Sequence, residues 1–249
     1  MGVILRVGGL DLHDDVSSAD WLLGLDVLGG RVSSLVPIGF DAYARILHPA
    51  YRGREARWHA APSVAWAEVA TANHKVMHPE VQFGSLVGWV QPGGHEQAGL
   101  WDHAPDEGAL PIERMATLAR RLATHTRIPS RCWFGVWLGW RDHVADRVGV
   151  PTFRLPGREY VLLSGPVTSA TQSLARHLWQ WRPANLWWPD DHAWCVATEV
   201  DLNSTYVGGS SACIAALLDL PGLEVLHASP SDGITAFSDT VNPPPAGGP

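Results

Sequence analysis

The chain has 249 residues, a formal net charge of −7 at pH 7, 46% hydrophobic residues and 17% charged ones. That balance argues against a disordered chain, which would lack the apolar surface to fold. Arginines scattered over an acidic chain argue against nucleic acid as a partner, since such binding needs a basic face. No apolar run reaches the ~18 residues that cross a membrane. The first residues, Met1 to Asp11, lack the basic start of a signal peptide. Cys132, Cys195 and Cys213 cannot all pair and fit a reducing interior, so a cytoplasmic protein is expected. Lys75 is the only lysine beside 17 arginines, and Ala, Gly, Pro and Val abound, a bias that reads as a GC-rich bacterial genome.

In chain order, Val3–Val7 has strand composition. Ser17 or Ser18 can cap a short helix running to Leu25, broken by Gly29 and Gly30. Phe40, Tyr43, Ala44 and Leu47 fall at helical spacing, which predicts a second helix ending before Pro49. Pro62 opens a third, with Ala65, Val69, Ala72 and Val76 as its stripe. Residues 81–90 are rich in β-formers and read as a strand, and 92–110 as a long loop. Pro111 begins the clearest helix, with Met115, Leu118, Ala119 and Leu122 inward. The run 132–138 alternates little and predicts a strand buried on both faces. Thr152–Leu155 and 159–163, around Pro156, Gly157 and Arg158, predict a hairpin. A helix is expected over 168–179.

The densest stretch is Leu186 to Ser210. Trp187, Trp188 and Pro189 suggest a turn. Alternation from Trp194 to Asn203 predicts a strand. Gly208 and Gly209 lead into a helix over 211–219, and 223–228 predicts a last strand. The whole reads as an α+β fold: a single domain over 1–241 with a mixed, mostly antiparallel sheet and about six helices, then a disordered Pro/Gly tail over 242–249.

Two kinds of site are nominated. Glu199, Asp201 and Asn203 would share one strand face, their side chains about 7 Å apart. Two carboxylates so placed can raise a pKa for acid–base work, or flank a divalent ion. Glu199 and Asp201 are the catalytic candidates; the plain alternative is the solvated face of a half-buried strand. The second nomination rests on thirteen tryptophans, eight of them between Trp133 and Trp194. Such side chains combine a large apolar surface with one N–H that wants a partner. Either they fill the core, or Trp133, Trp137, Trp187, Trp188 and Trp194 line a groove. The ligand-binding candidates are Trp187, Trp188, Asp190, His192, Trp194 and Asn203.

Metal motifs fail. Asp201, Asn203 and Thr205 begin like a calcium loop, but Tyr206 and Ala212 stand where Gly and Glu are needed. His192 and Cys195 lack a second ligand pair. His74 and His78 lack the glutamate of a metalloprotease helix. Neither metal nor cofactor is expected.

Through Trp187–Pro189, Ala193–Glu199 and Ser204–Ser210, the chain resembles a group of uncharacterised proteins of GC-rich bacteria, and residues 40–46, His125, Thr126 and 132–135 belong to the same pattern. That resemblance implies no activity. In pairing an aromatic-rich mixed sheet with a late helix, the chain is also similar to the SUKH superfamily of immunity and regulatory proteins. This implies a binding or protein-interaction module with an unknown protein or small-molecule partner. The alternative is a hydrolase built on Glu199 and Asp201, with or without a metal.

Overall fold

The computed structural model describes residues 3–7, 9–53, 61–88, 97–139, 149–175 and 180–242. Twelve strands are present among them: β1 (Val3–Val7), β2 (Leu10–His13), β3 (Ala42–Leu47), β4 (Ala50–Tyr51), β5 (Ser63–Val64), β6 (Cys132–Trp137), β7 (Thr152–Leu155), β8 (Arg158–Gly165), β9 (Leu186–Pro189), β10 (Trp194–Ala197), β11 (Ser204–Gly209) and β12 (Glu224–Ala228). Four α-helices join them: α1 (Trp66–Ala72), α2 (Phe83–Val87), α3 (Ile112–Leu122) and α4 (Ser211–Leu218). Four 3-10 segments, the longest at Ser17–Leu22 and the next at Val167–Thr171, complete the described helical elements, where about six helices were expected.

Nine strands run in the order β1-β2-β8-β6-β9-β10-β11-β3-β12, with β7 paired to β8 outside that path. Every described pairing is antiparallel, so the sheet is not mixed. Its centre is β6, β9, β10 and β11, whose residues are almost all buried. Alternation sends neighbours to opposite faces. Trp187 and Trp194 join Phe134, Val196 and Val207 under α3 and α4. Trp188 and Cys195 join Trp133, Tyr43 and Tyr206 under the N-terminal layer of Ala19, Leu22, Val32, Leu35 and Val36. A third cluster, around Trp66, Phe83 and Trp101, gathers α1 and α2 beside Leu47 of β3.

Several sequence expectations change. Residues 42–47 are a strand, not a helix. Tyr43, Ala44, Arg45, Ile46 and Leu47 are all buried, because β3 lies between β11 and β12 with both faces covered. Phe83–Val87 is a helix rather than a strand, ended by Gly88 in the left-handed conformation. Leu186–Pro189 is a central strand rather than a turn. The strand predicted to run to Asn203 stops at Ala197. Gly208 and Gly209 lie inside β11 and not in a turn. The helix expected over 168–179 is a 3-10 segment at Val167–Thr171, and 176–179 lie outside the described residues. Asn242, assigned to the tail, is buried. Residues 243–249 lie outside the described ones. The predicted α3, α4, β1, β6, β8 and β12 are present, and the inward residues of α3 are the four expected.

Candidate functional site

Glu199, Asp201 and Asn203 sit in the connection between β10 and β11, not on a strand. Glu199 and Asp201 do converge, but on a guanidinium. Arg158 Nε donates to Glu199 Oε1 at 2.9 Å, and Arg158 Nη2 donates both to that oxygen and to Asp201 Oδ2, the latter at 2.7 Å. The Arg158 guanidinium also lies 5.0 Å from the Trp137 ring centre. Glu199 is buried while Asp201 is 78% exposed, so the two carboxylates are not equivalent. Burial pushes the Glu199 carboxyl above its ordinary range, against the opposing pull of Arg158. A carboxylate already bonded to a guanidinium is a poor general base, because its lone pairs and charge are engaged. Asn203 contributes its backbone, its carbonyl accepting from His48 N–H at 3.0 Å.

The connection is braced from beneath by a buried polar chain. His48 Nδ1 donates to the Asp106 carbonyl at 2.7 Å, which leaves Nε2 to accept from the Thr205 hydroxyl at 2.9 Å. Thr198 and Thr205 hydroxyls bond at 2.8 Å, and Asn185 Nδ2 donates to the Thr198 carbonyl. Burial pushes the pKa of His48 down to about 4, so it is neutral at pH 7. These partners satisfy groups that could not otherwise be buried.

Trp187, Trp188 and Trp194 are fully buried. Trp133 is equally buried, and Trp137 only partly. Trp194 Nε1 donates to the Leu122 carbonyl at 3.0 Å and ties the sheet to α3. The tryptophans are first of all core, and their sheet positions divide them between two faces.

One corner of the sheet nevertheless collects part of the nominated set with residues from elsewhere. Ser164, Trp133 and Trp188 are register partners across β8, β6 and β9. Ser164 Oγ is 2.7 Å from His13 Nε2, and the His13 ring lies 5.1 Å from that of Trp133. Trp133 Nε1 donates to Asp190 Oδ1 at 2.8 Å, and Arg131 covers the Trp133 ring at 5.3 Å. Trp21, from the first 3-10 segment, meets Trp188 edge-on at 5.8 Å and stacks on His192 at 4.3 Å. His192 is a non-glycine residue held at φ 51°, a conformation that costs energy and often marks functional turns. Asp191 anchors this turn by accepting from Thr126 Oγ1, Arg127 N–H and Ala193 N–H.

Three buried ring nitrogens of this corner have no hydrogen-bond partner among the described residues: His13 Nδ1, Trp21 Nε1 and Trp188 Nε1. Trp101, Trp187 and His103 carry similar atoms elsewhere in the fold. Burial lowers the pKa of both His13 and His192, which favours neutral rings. Of the nominated ligand-binding residues, Trp188, Asp190 and His192 meet here. Trp187 and Trp194 face the other side, and Asn203 lies in the β10–β11 connection. His13, Trp21, Arg131 and Ser164 were not nominated. No spacing signal could have found them, since His13 and Ser164 are 151 residues apart.

The remaining candidates have structural partners. His78 Nε2 bonds Asp239 Oδ1 at 2.8 Å, and His74 follows α1 at φ 56°. Cys132, Cys195 and Cys213 are buried free thiols, pushed by burial well above the range where a thiolate forms. Among the described residues no three His, Cys, Asp or Glu side chains are grouped to hold a metal ion, and no helix is long and apolar enough to cross a membrane. Compared with protein-family models, with curated proteins and with solved structures, the chain matches none.

Proposed function

We propose that the chain is a binding module and not a hydrolase, and that its ligand engages the corner formed by Trp21, Trp188, Asp190 and His192, with His13 and Trp133 behind it. The observation that carries this reading is the set of unpartnered nitrogens on His13, Trp21 and Trp188. Buried donors without acceptors are rare because each forfeits the hydration it had in the unfolded chain. An indole N–H can only donate. The ligand therefore brings acceptor oxygens, and its flat apolar part lies against the aromatic rings. Asp190 and His192 stand exposed at the rim, where a protein or a small molecule would first make contact. Against the hydrolase stands Arg158, which occupies both candidate carboxylates.

Trp188→Phe tests the reading, because it keeps an aromatic ring in the core and removes the indole N–H. Ligand-observed NMR with a library of carbonyl- and carboxylate-bearing aromatic fragments gives the readout. Fragments that bind the wild-type protein are expected to lose at least about ten-fold in affinity in the variant. Its stability should fall modestly, because the smaller ring leaves a cavity, so binding is compared where both proteins are folded. Glu199→Gln and Asp201→Asn should leave fragment binding unchanged. Equal binding by Trp188→Phe and wild type, or no binding to either, defeats the proposal.

A further inference from the structure

We propose that Ser164 and His13 form a nucleophile–base pair, through which Ser164 takes an acyl group from an activated ester. Ser164 lies near the end of β8, opposite Asp11 of β2 on one side and Trp133 of β6 on the other, and is half-buried. Its Oγ is 2.7 Å from His13 Nε2, within the reach that a nucleophile and its base need. The two residues are 151 apart in sequence, and only the pairing of β2 with β8 brings them together.

In the tautomer with its hydrogen on Nδ1, His13 Nε2 accepts from the Ser164 hydroxyl. No other partner of that hydroxyl is present among the described residues. The contrast with His48 sets this pair apart from a structural one. His48 has both ring nitrogens bonded, Nδ1 to the Asp106 carbonyl and Nε2 to the Thr205 hydroxyl, and that hydroxyl is shared with Thr198. His13 Nδ1 is buried without a partner among the described residues, and its serine is not shared.

The charges around His13 suit a base. Burial lowers its pKa and so keeps the ring neutral at pH 7, the form that can take up a proton. Asp11, Asp14 and Asp15 favour the imidazolium that forms as the proton arrives, and Arg131 opposes it. Asp11 Oδ1 accepts from Arg6 Nε at 2.8 Å, so Asp11 acts on His13 through charge and not as a hydrogen-bonded third member. In the step itself, Ser164 Oγ bonds to the ester carbonyl carbon and the carbon–oxygen bond to the leaving group breaks. The hydroxyl proton passes to His13 Nε2 and from there to the leaving oxygen. The products are an acyl-serine and an alcohol or phenol, and nothing is oxidised or reduced. Water attacks nothing in this step, and Glu199 and Asp201 take no part.

The probe is p-nitrophenyl acetate, and mass-spectrometric peptide mapping locates the acetyl group. Lys75 is the only lysine, so few amines compete. Wild-type protein at pH 7 should carry acetyl on Ser164, and Ser164→Ala should lose that label while Lys75 reacts as before. His13→Gln keeps a polar group beside the hydroxyl but no base, and should slow acetylation of Ser164 at least about a hundred-fold. The wild-type rate should rise with pH as His13 loses its proton, with a midpoint below 6.5, and then level off. That profile decides the matter if His13→Gln does not fold. Absence of acetyl from Ser164 in the wild type overturns the pair. So does equal labelling of His13→Gln, or a rate that climbs with pH without levelling, as an unassisted hydroxyl's would. Fragment binding at Trp188 is read separately, so either proposal can fail without the other.

Discussion

Arg158 shows how one side chain can remove a catalytic reading and replace it with a structural role. Glu199 has lost most of its hydration, and its bonds to Arg158 are what make that tolerable. Removing one partner of a buried pair leaves the other charge uncompensated, at a cost of about 3 kcal/mol. Arg158→Met should accordingly destabilise the fold by roughly that amount in urea denaturation. Asp201, bonded to the same nitrogen but largely exposed, is screened by water. Asp201→Asn should change stability by less than about 0.5 kcal/mol. Similar losses from the two substitutions would mean that the hairpin carboxylates act as one unit, as an acid–base pair would. The pairing was not legible in the sequence. Glu199 and Asp201 stood out because they lie two residues apart, whereas Arg158 lies 41 residues upstream and carries no motif.

At the scale of the elements, β11 explains the glycine pair that looked like a turn. A Cβ on Gly208 would fall 2.5 Å from Phe40 Cδ2 and 2.8 Å from Val36 Cγ1, so the N-terminal layer rests directly on that backbone. A Cβ on Gly209 points to the other face and meets Cys213 Sγ at 3.2 Å. Gly208→Ala should cost about 1–3 kcal/mol, as overpacking does. Gly209→Ala should cost less, because a side chain of α4 can yield by a few tenths of an ångström. Chemical denaturation of the two variants checks this ordering, and a reversal would mean that α4 and not the N-terminal layer is the tighter contact. The helix mistakenly expected over 40–47 has a related cause. A strand buried on both faces shows a continuous apolar run, and such a run fits helical spacing as well as a strand's. Only the neighbours β11 and β12 separate the two. By contrast α3 was legible, because a helix with one wet face shows its period, and the α4 expected after Gly209 is capped by Ser210, its Oγ accepting from Cys213 N–H at 3.2 Å.

Across the whole molecule, buried neutral groups set the acid stability. His48 links β3, the β10–β11 connection and Asp106, and its folded-state pKa is lowered from 6.5 to about 4. The unfolded chain therefore takes up a proton at His48 before the native one does. Stability is complete above about pH 6.5 and falls as the pH drops toward about 4, by roughly 3 kcal/mol from this residue. The burial-lowered pKa values of His13 and His192 act in the same direction. Asp239 extends the loss to lower pH. Burial raises its pKa, but the bonds from Asn242, Gln82 N–H and His78 outweigh this and hold it below the ordinary value. Its contribution is present above about pH 4 and vanishes as the pH falls through its folded pKa. Denaturation midpoints measured from pH 8 to 4 should decline for wild type and flatten for His48→Gln. A wild-type midpoint constant over that range would show that His48 is not held neutral by the fold.

Composition and local pattern were enough to determine that this chain folds, that it mixes helices with strands, and where α3, α4, β6 and the β7–β8 hairpin lie. Each of these is decided by residues within a few positions of one another. Tertiary structure alone decided which apolar runs became strands, which face each tryptophan took, and that Arg158 closes the carboxylate pair. It also brought together His13, Trp21, Trp188 and His192. The physical reason is that hydrogen-bond satisfaction and charge compensation act across space. A donor's partner, or its lack of one, is a property of strand order, which local sequence pattern does not encode.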